Sequence, residues 1–460
     1  MSTTPLKRTL ASLRNAWRGL IFSGQEFRPD RLSPDLPDSD AEKLRILMQD
    51  CLTARGGEVS SRARAALLGQ AYLTLNNEGR IRYLAILANE LSVSPEALKE
   101  ARDIIDDANS TQEKISKLRG LLTPPRVSLL TRFNDLPQGV KFLVDLRADV
   151  LAFMDKAPDL KSLDYDLKRL LNSWFDIGFL ELKRLTWKDP AELLEKLIEY
   201  EAVHEISSWD DLKNRLDSDR RCYAFFHPCM PDEPLIFVEI ALVKGIARSI
   251  QSLLDENAPT IDPGDADTAI FYSITNTQTG LQGIHFGSFL IKQVLDDLKR
   301  DLPQLNKFAT LSPVPGLMEY LAALSLDKEA QLVDAAHRAE LEKDYGSGTV
   351  REVLGAGIWK LKLEGNTVLK PIMMKLCAHY LVNEKKGSRS RDPVANFHLN
   401  NGARLENINW LGDTSEHGLL QSAGIMVNYV YSLNDIEKNH ETYRASGEVV
   451  ASSVVKAILS

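Results

Sequence analysis

Cysteine is scarce in this chain: Cys51, Cys222, Cys229 and Cys377 are scattered over 460 residues. So thin a set excludes a disulfide scaffold and suits a reducing compartment. Cys222, His227 and Cys229 come nearest to a metal cluster, but their spacing fits none of the usual zinc patterns, and no metal site is expected. Long apolar runs are also missing. No stretch approaches the roughly 20 residues of a spanning helix, so a protein without a membrane anchor is expected. A basic surplus is missing too: the net charge of −8 leaves no basic stripe for nucleic acid. No histidine precedes His204, and the acids and bases before it fall on solvated helix faces. The first half therefore offers no catalytic constellation, and interaction or oligomerisation is the expectation for it. No fixed-period repeat marks a solenoid.

What remains is an ordinary globular composition, 44% hydrophobic and 26% charged, in a chain long enough for two or three domains. The first stretch carries Lys7, Arg8, Arg14 and Arg18 with no acid before Glu26. It reads as a basic tail of a cytoplasmic protein or, alternatively, as a leader to the mitochondrial matrix. Pro29, Pro34 and Pro37 mark a linker, which makes residues 1–40 a basic, proline-rich lead. From 41 to 176 the apolar residues recur at helical spacing, as in Leu44, Leu47, Met48 and Cys51, and Ser94-Pro95 forms a capped helix start. This is an all-helical domain.

The character changes near Asp176, and residues 177–460 mix strands with helices, an α+β arrangement. Runs at Arg221–Phe226 and Pro234–Val243 form a hairpin. The centre of the domain is Thr268–Gly316: a strand over Thr268–Thr275, a glycine-bearing turn, a helix from Phe286, and a second strand over Lys307–Leu311. The turn lies at the helix N-terminus, where free backbone N–H groups favour a phosphate. Lys385–Arg391 reads as a flexible basic loop, and the residues from Ser453 as a short tail. Val394–Asn400 alternates as a strand would, placing Asn396, His398 and Asn400 on one face and Ala395, Phe397 and Leu399 on the other. His379 shares an apolar helix face with Ile372, Leu376 and Val382, as a core histidine does. Ser312 precedes Pro313, so its hydroxyl stands on stiffened, extended backbone, outside any Gly-x-Ser-x-Gly elbow.

Tyr272-Ser-Ile-Thr275, Thr279–Gly283, Phe289–Lys292, Leu311–Gly316, Pro393–Leu399 and Ile408–Trp410 together resemble the malonyl-CoA decarboxylase family, over roughly Arg221 to Tyr431. The resemblance implies a helical N-terminal domain and a GNAT-like mixed α/β catalytic domain that converts malonyl-CoA to acetyl-CoA and CO2. It implies a CoA phosphate loop at Gln282, Gly283, Ile284, His285, Phe286, Gly287 and Ser288, with His285 standing where the GNAT pattern has its first glycine. It also implies His398 as proton donor and Ser312 as its partner on the malonyl group. Neither metal nor organic cofactor is implied, and the assembly expected is a homotetramer. Asn396, His417 and Tyr431 are supporting candidates. A CoA-dependent acyltransferase and a non-catalytic CoA-binding interaction protein are the rival readings.

Overall fold

The structure is a computed structural model that describes residues 13, 16–17, 27–53, 57–106, 111–175, 177–284, 289–357, 359–360 and 367–460. Its first half is helical: α1 Asp38–Leu52, α2 Gly57–Thr74, α3 Asn77–Ala85, α4 Pro95–Asp106, α5 Gln112–Leu121, α6 Pro125–Thr131, α7 Gly139–Phe153 and α8 Leu160–Trp174. Ser94 caps α4 as its sequence requires, its Oγ accepting from Ala97 N at 3.2 Å. The proline-rich lead is packed rather than extended, because Leu32 and Leu36 bury their side chains and α1 starts at Asp38. In the basic N-terminal segment Leu13 and Trp17 are buried, and Trp17 Nε1 donates to Pro137 O at 2.8 Å. Neither stretch is a loose tail at these positions, since apolar side chains and an indole N–H all find partners in the core.

The second half is built on one mixed sheet: β1 Glu181–Leu185, β2 Arg220–Phe226, β3 Ile236–Val243, β4 Thr268–Asn276, β5 Lys307–Thr310, β6 Ser312–Pro313, β9 Arg404–Asn409 and β10 Met426–Tyr431. A separate small hairpin pairs β7 Lys385–Lys386 with β8 Arg389–Ser390. The flexible loop expected there is thus a turn of defined shape, made possible by Gly387 at φ +66°. Strands β1 to β4 run antiparallel to one another, and β4 pairs with β5 in parallel. The β5–β6 segment pairs with β10 and β10 with β9, both antiparallel. Helices of this half include α9 Ala191–Tyr200, α10 Trp209–Arg215, α11 Phe289–Asp301, α12 Leu369–Asn383, α13 Pro393–Asn400 and α14 Ser453–Leu459. Helical first half and mixed second half are the α+β arrangement expected.

Two expectations are corrected here. Residues 393–400 form helix α13, not a strand. Asp392 Oδ1 accepts from Val394 N and Ala395 N at 3.0 and 2.9 Å, and Pro393 supplies the fixed φ of a first helical turn. The buried set Ala395, His398 and Leu399 follows helical spacing, which the apparent alternation concealed. The residues from Ser453 are helix α14, with Val455 fully buried, rather than a free tail.

One large apolar core runs from Leu44 and Phe142 of the helical half into Val238, Phe271, Leu295 and Tyr429 of the sheet half. The halves meet closely at α7, where a Cβ on Gly280 would overlap Val144 O. Arg147 of α7, 2% exposed, donates across this boundary to Gly280 O at 2.6 Å and Gln282 O at 3.0 Å. Its Nε donates to Asp164 Oδ1 at 2.8 Å, so the buried cation is paired. The opposite face of the sheet carries two smaller cores, one against α9 and α10 around Phe237, the other around Ile270 and Leu311.

Candidate active site

Strands β4 and β5 pair in register only as far as Phe271 opposite Thr310. Past Leu311 the chain leaves β4, and Ser312 pairs instead with Val427 of β10. Ser312 and Thr310, two residues apart on one extended segment, face the same side. Helix α13 brings His398 to that side.

There the side chains form one hydrogen-bonded row. Ser312 Oγ lies 3.1 Å from His398 Nε2 and donates to Thr310 Oγ1 at 2.9 Å. His398 Nδ1 lies 2.8 Å from the Tyr431 hydroxyl. Thr310 Oγ1 also accepts from Tyr429 N at 3.2 Å. The imidazole stacks on the Tyr429 ring with centroids 4.7 Å apart and planes 24° from parallel. His398 is 3% exposed and Ser312 6%. Burial penalises the imidazolium and pushes the His398 pKa down to about 3. The same cause raises the Tyr431 hydroxyl, which therefore stays protonated.

Two anchors hold this row. Asp392, fully buried, caps α13 with Oδ1 and accepts from Gly316 N with Oδ2 at 3.3 Å. One carboxylate thus ties the start of the His398 helix to the end of the Ser312 segment. Burial pushes its pKa up to about 6, against backbone N–H groups that favour the charged form. The second anchor is Asn428, fully buried, which donates to Thr310 O at 2.7 Å and accepts from Asn409 Nδ2 at 2.8 Å.

The other expected residues fall as follows. Gln282 and Gly283 are exposed and Ile284 is buried at the end of the turn, with Gly283 at φ +74°. His285, Phe286, Gly287 and Ser288 lie outside the described residues. His379 is half-buried and meets Asn383 and Glu384, with Nε2 3.3 Å from Glu384 Oε1, so it takes no part in the row. Asn396 accepts from the Tyr443 hydroxyl at 2.9 Å, which makes it a support for α13. Thr310, Asp392 and Arg147 escaped sequence reasoning. The Asp-Pro pair at 392–393 was a legible helix-start signal; Thr310 and Arg147 had none.

A buried serine–histidine pair backed by a protonated tyrosine has the groups that acid–base chemistry uses, set in the mixed half of a two-part chain. Profiles of the malonyl-CoA decarboxylase N-terminal and C-terminal domains match residues 91–175 and 178–460. A protein of Anser anser anser named "Malonyl-CoA decarboxylase, mitochondrial" is 38% identical over 424 residues, 88% of this chain and 81% of the relative. Crystal structures of malonyl-CoA decarboxylase from Rhodopseudomonas palustris and Agrobacterium vitis share 42% and 40% identity, both at TM-score 0.83. Each covers 91% of this chain, and 98% and 100% of its own. The chain belongs to the malonyl-CoA decarboxylase family, whose members are carboxy-lyases. No helix among the described residues is long and apolar enough to cross a membrane.

Proposed function

We propose that this protein decarboxylates malonyl-CoA to acetyl-CoA and CO2, with residues 41–176 as its helical domain and 177–460 as its catalytic domain. The observation that carries the reading is the contact of Ser312 with His398, two residues of separate family motifs 86 positions apart. In the reaction the bond between the carboxylate and the α-carbon breaks. Its electron pair moves into the thioester, giving an enolate, and the α-carbon then takes a proton. The thioester carbonyl is itself the electron sink, so the chemistry requires neither a metal nor an organic cofactor.

His398 supplies the proton and Ser312 orients the malonyl group. Burial leaves the ligand-free imidazole neutral, and the malonyl carboxylate brings the negative charge that draws a proton onto it. CoA lies with its phosphates at Gln282–Ser288, before α11. The family resemblance further supports a homotetramer, for which α4 and α5 expose Leu98, Ile105 and Ile115; sedimentation at micromolar concentration tests it.

The deciding assay gives the protein malonyl-CoA and no acceptor. Acetyl-CoA and CO2 in equal amounts are expected, and their absence would sink the proposal. His398→Ala should lower kcat by on the order of 10²-fold or more, the usual contribution of a positioned acid. Wild-type kcat in that variant would remove His398 from the reaction. Turnover that required an added amine would instead favour the acyltransferase.

A further inference from the structure

A neutral imidazole carries one N–H, and a serine hydroxyl carries one hydrogen. Ser312 gives its hydrogen to Thr310 Oγ1. The 3.1 Å contact with His398 is then filled by an N–H on Nε2, with Ser312 Oγ accepting. Nδ1 is left bare and accepts from Tyr431, whose hydroxyl is buried and protonated. Every hydrogen in the row therefore points one way, from Tyr431 through His398 and Ser312 to Thr310. A nucleophilic serine needs the reverse, because its imidazole must accept the hydroxyl proton.

We infer that Thr310 is a positioning residue that turns the Ser312 hydroxyl away from His398, so that the pair donates a proton and does not attack the thioester. This rests on the reading of Ser312 and His398 as the reacting pair. The threonine is suited to the task. It is fully buried, its Oγ1 is held by Tyr429 N, and its carbonyl is held by Asn428. For an enzyme whose substrate and product are both thioesters, attack by serine would form an acyl-serine and release CoA thiol. Water would then hydrolyse that ester to free malonate or acetate. An imidazole already donating to the serine cannot also take its proton, so this branch is closed in the resting state.

The test uses the full chain labelled with ¹⁵N in histidine, the His398 signal being identified by its loss in His398→Gln. The Nε2–H tautomer is expected in the ligand-free wild type, and an Nδ1–H tautomer there overturns the inference whatever the activity. Thr310→Val keeps the shape and removes the acceptor. It should shift His398 toward Nδ1–H, lower kcat by on the order of 10²-fold with KM little changed, and release CoA thiol with malonate. Thr310→Ser, which restores the acceptor, should recover the wild-type tautomer and most of kcat. A Thr310→Val protein with wild-type tautomer and kcat refutes the role. Should Thr310→Val not fold, Thr310→Ala takes its place: it also removes the acceptor for the Ser312 hydroxyl and should shift the tautomer the same way, and an unshifted tautomer refutes the role. Failure of the pair itself would show separately, as wild-type turnover in Ser312→Ala and His398→Ala.

Discussion

Asp392→Asn changes one oxygen at the joint between the segment that carries Ser312 and the helix that carries His398. In the wild type, Oδ1 serves Val394 N and Ala395 N, and Oδ2 serves Gly316 N. Asparagine keeps the helix cap through its carbonyl oxygen but turns an NH₂ toward Gly316 N–H. That donor loses its acceptor in a half-buried place, which costs on the order of 1 kcal/mol. The loss depends on pH. The Asp392 carboxyl has its pKa raised from 3.8 to about 6, so the folded chain holds that proton more tightly than the unfolded chain does. Its contribution is fully present below the unfolded value and is lost as pH rises through the folded one. Asparagine titrates nowhere in this range. From pH 5 to pH 7 the stability gap between wild type and variant should therefore shrink, by on the order of 1 kcal/mol on the one-site relation. All other titrating groups are common to both chains and cancel in the difference. Urea unfolding of both proteins at pH 5, 6 and 7 measures it. A gap that stays constant or widens with pH would refute the assigned titration, and a gap below about 0.5 kcal/mol at pH 5 would refute the clamp.

Two further outcomes follow from the same geometry. A Cβ on Gly316 would overlap the Tyr380 hydroxyl and sit 3.6 Å from Asp392 Oδ2. Gly316→Ala should therefore displace the Ser312 segment and cost about 1–3 kcal/mol, as overpacking does, with kcat reduced; adding Tyr380→Phe should restore much of both, and no rescue would place the clash elsewhere. Arg147→Met leaves Gly280 O and Gln282 O without their donor, so KM for malonyl-CoA should rise about tenfold, 1.4 kcal/mol of binding, while kcat holds. An unchanged KM would separate α7 from the turn proposed to hold CoA.

Much of this architecture is legible in local pattern. The strand at 268–276 follows from an unbroken β-branched and aromatic run, which marks burial on both faces, and the helix over 289–301 from apolar residues at helical spacing. The short segment at 393–400 is different: eight residues satisfy both a two-residue and a 3.6-residue period, and only the Asp392 cap decides between them. His398 and Ser312 stand in motifs that the sequence shows, yet their meeting depends on long-range pairing of β10 that no local signal encodes. Thr310 looks like any strand threonine, and Arg147 like any helix arginine. What distinguishes them is the partner each reaches, and partners across 119 and 133 positions belong to the tertiary fold.

Strand β10 is an inner strand of the sheet, lying between the β5–β6 segment and β9, although its residues, Met426–Tyr431, come late in the chain. During synthesis, the backbone of Phe308 and Ala309 on β5 waits for Tyr431 and Val430 with an open edge, the kind of surface on which neighbouring chains pair and aggregate. The same wait leaves His398 without Tyr431 and Thr310 without the Tyr429 amide. A nascent chain halted before residue 431 thus has an open sheet edge and an incomplete row. A single late strand completes the Ser312–His398 row and covers the open edge together, so the moment the sheet closes is also the moment the row is complete.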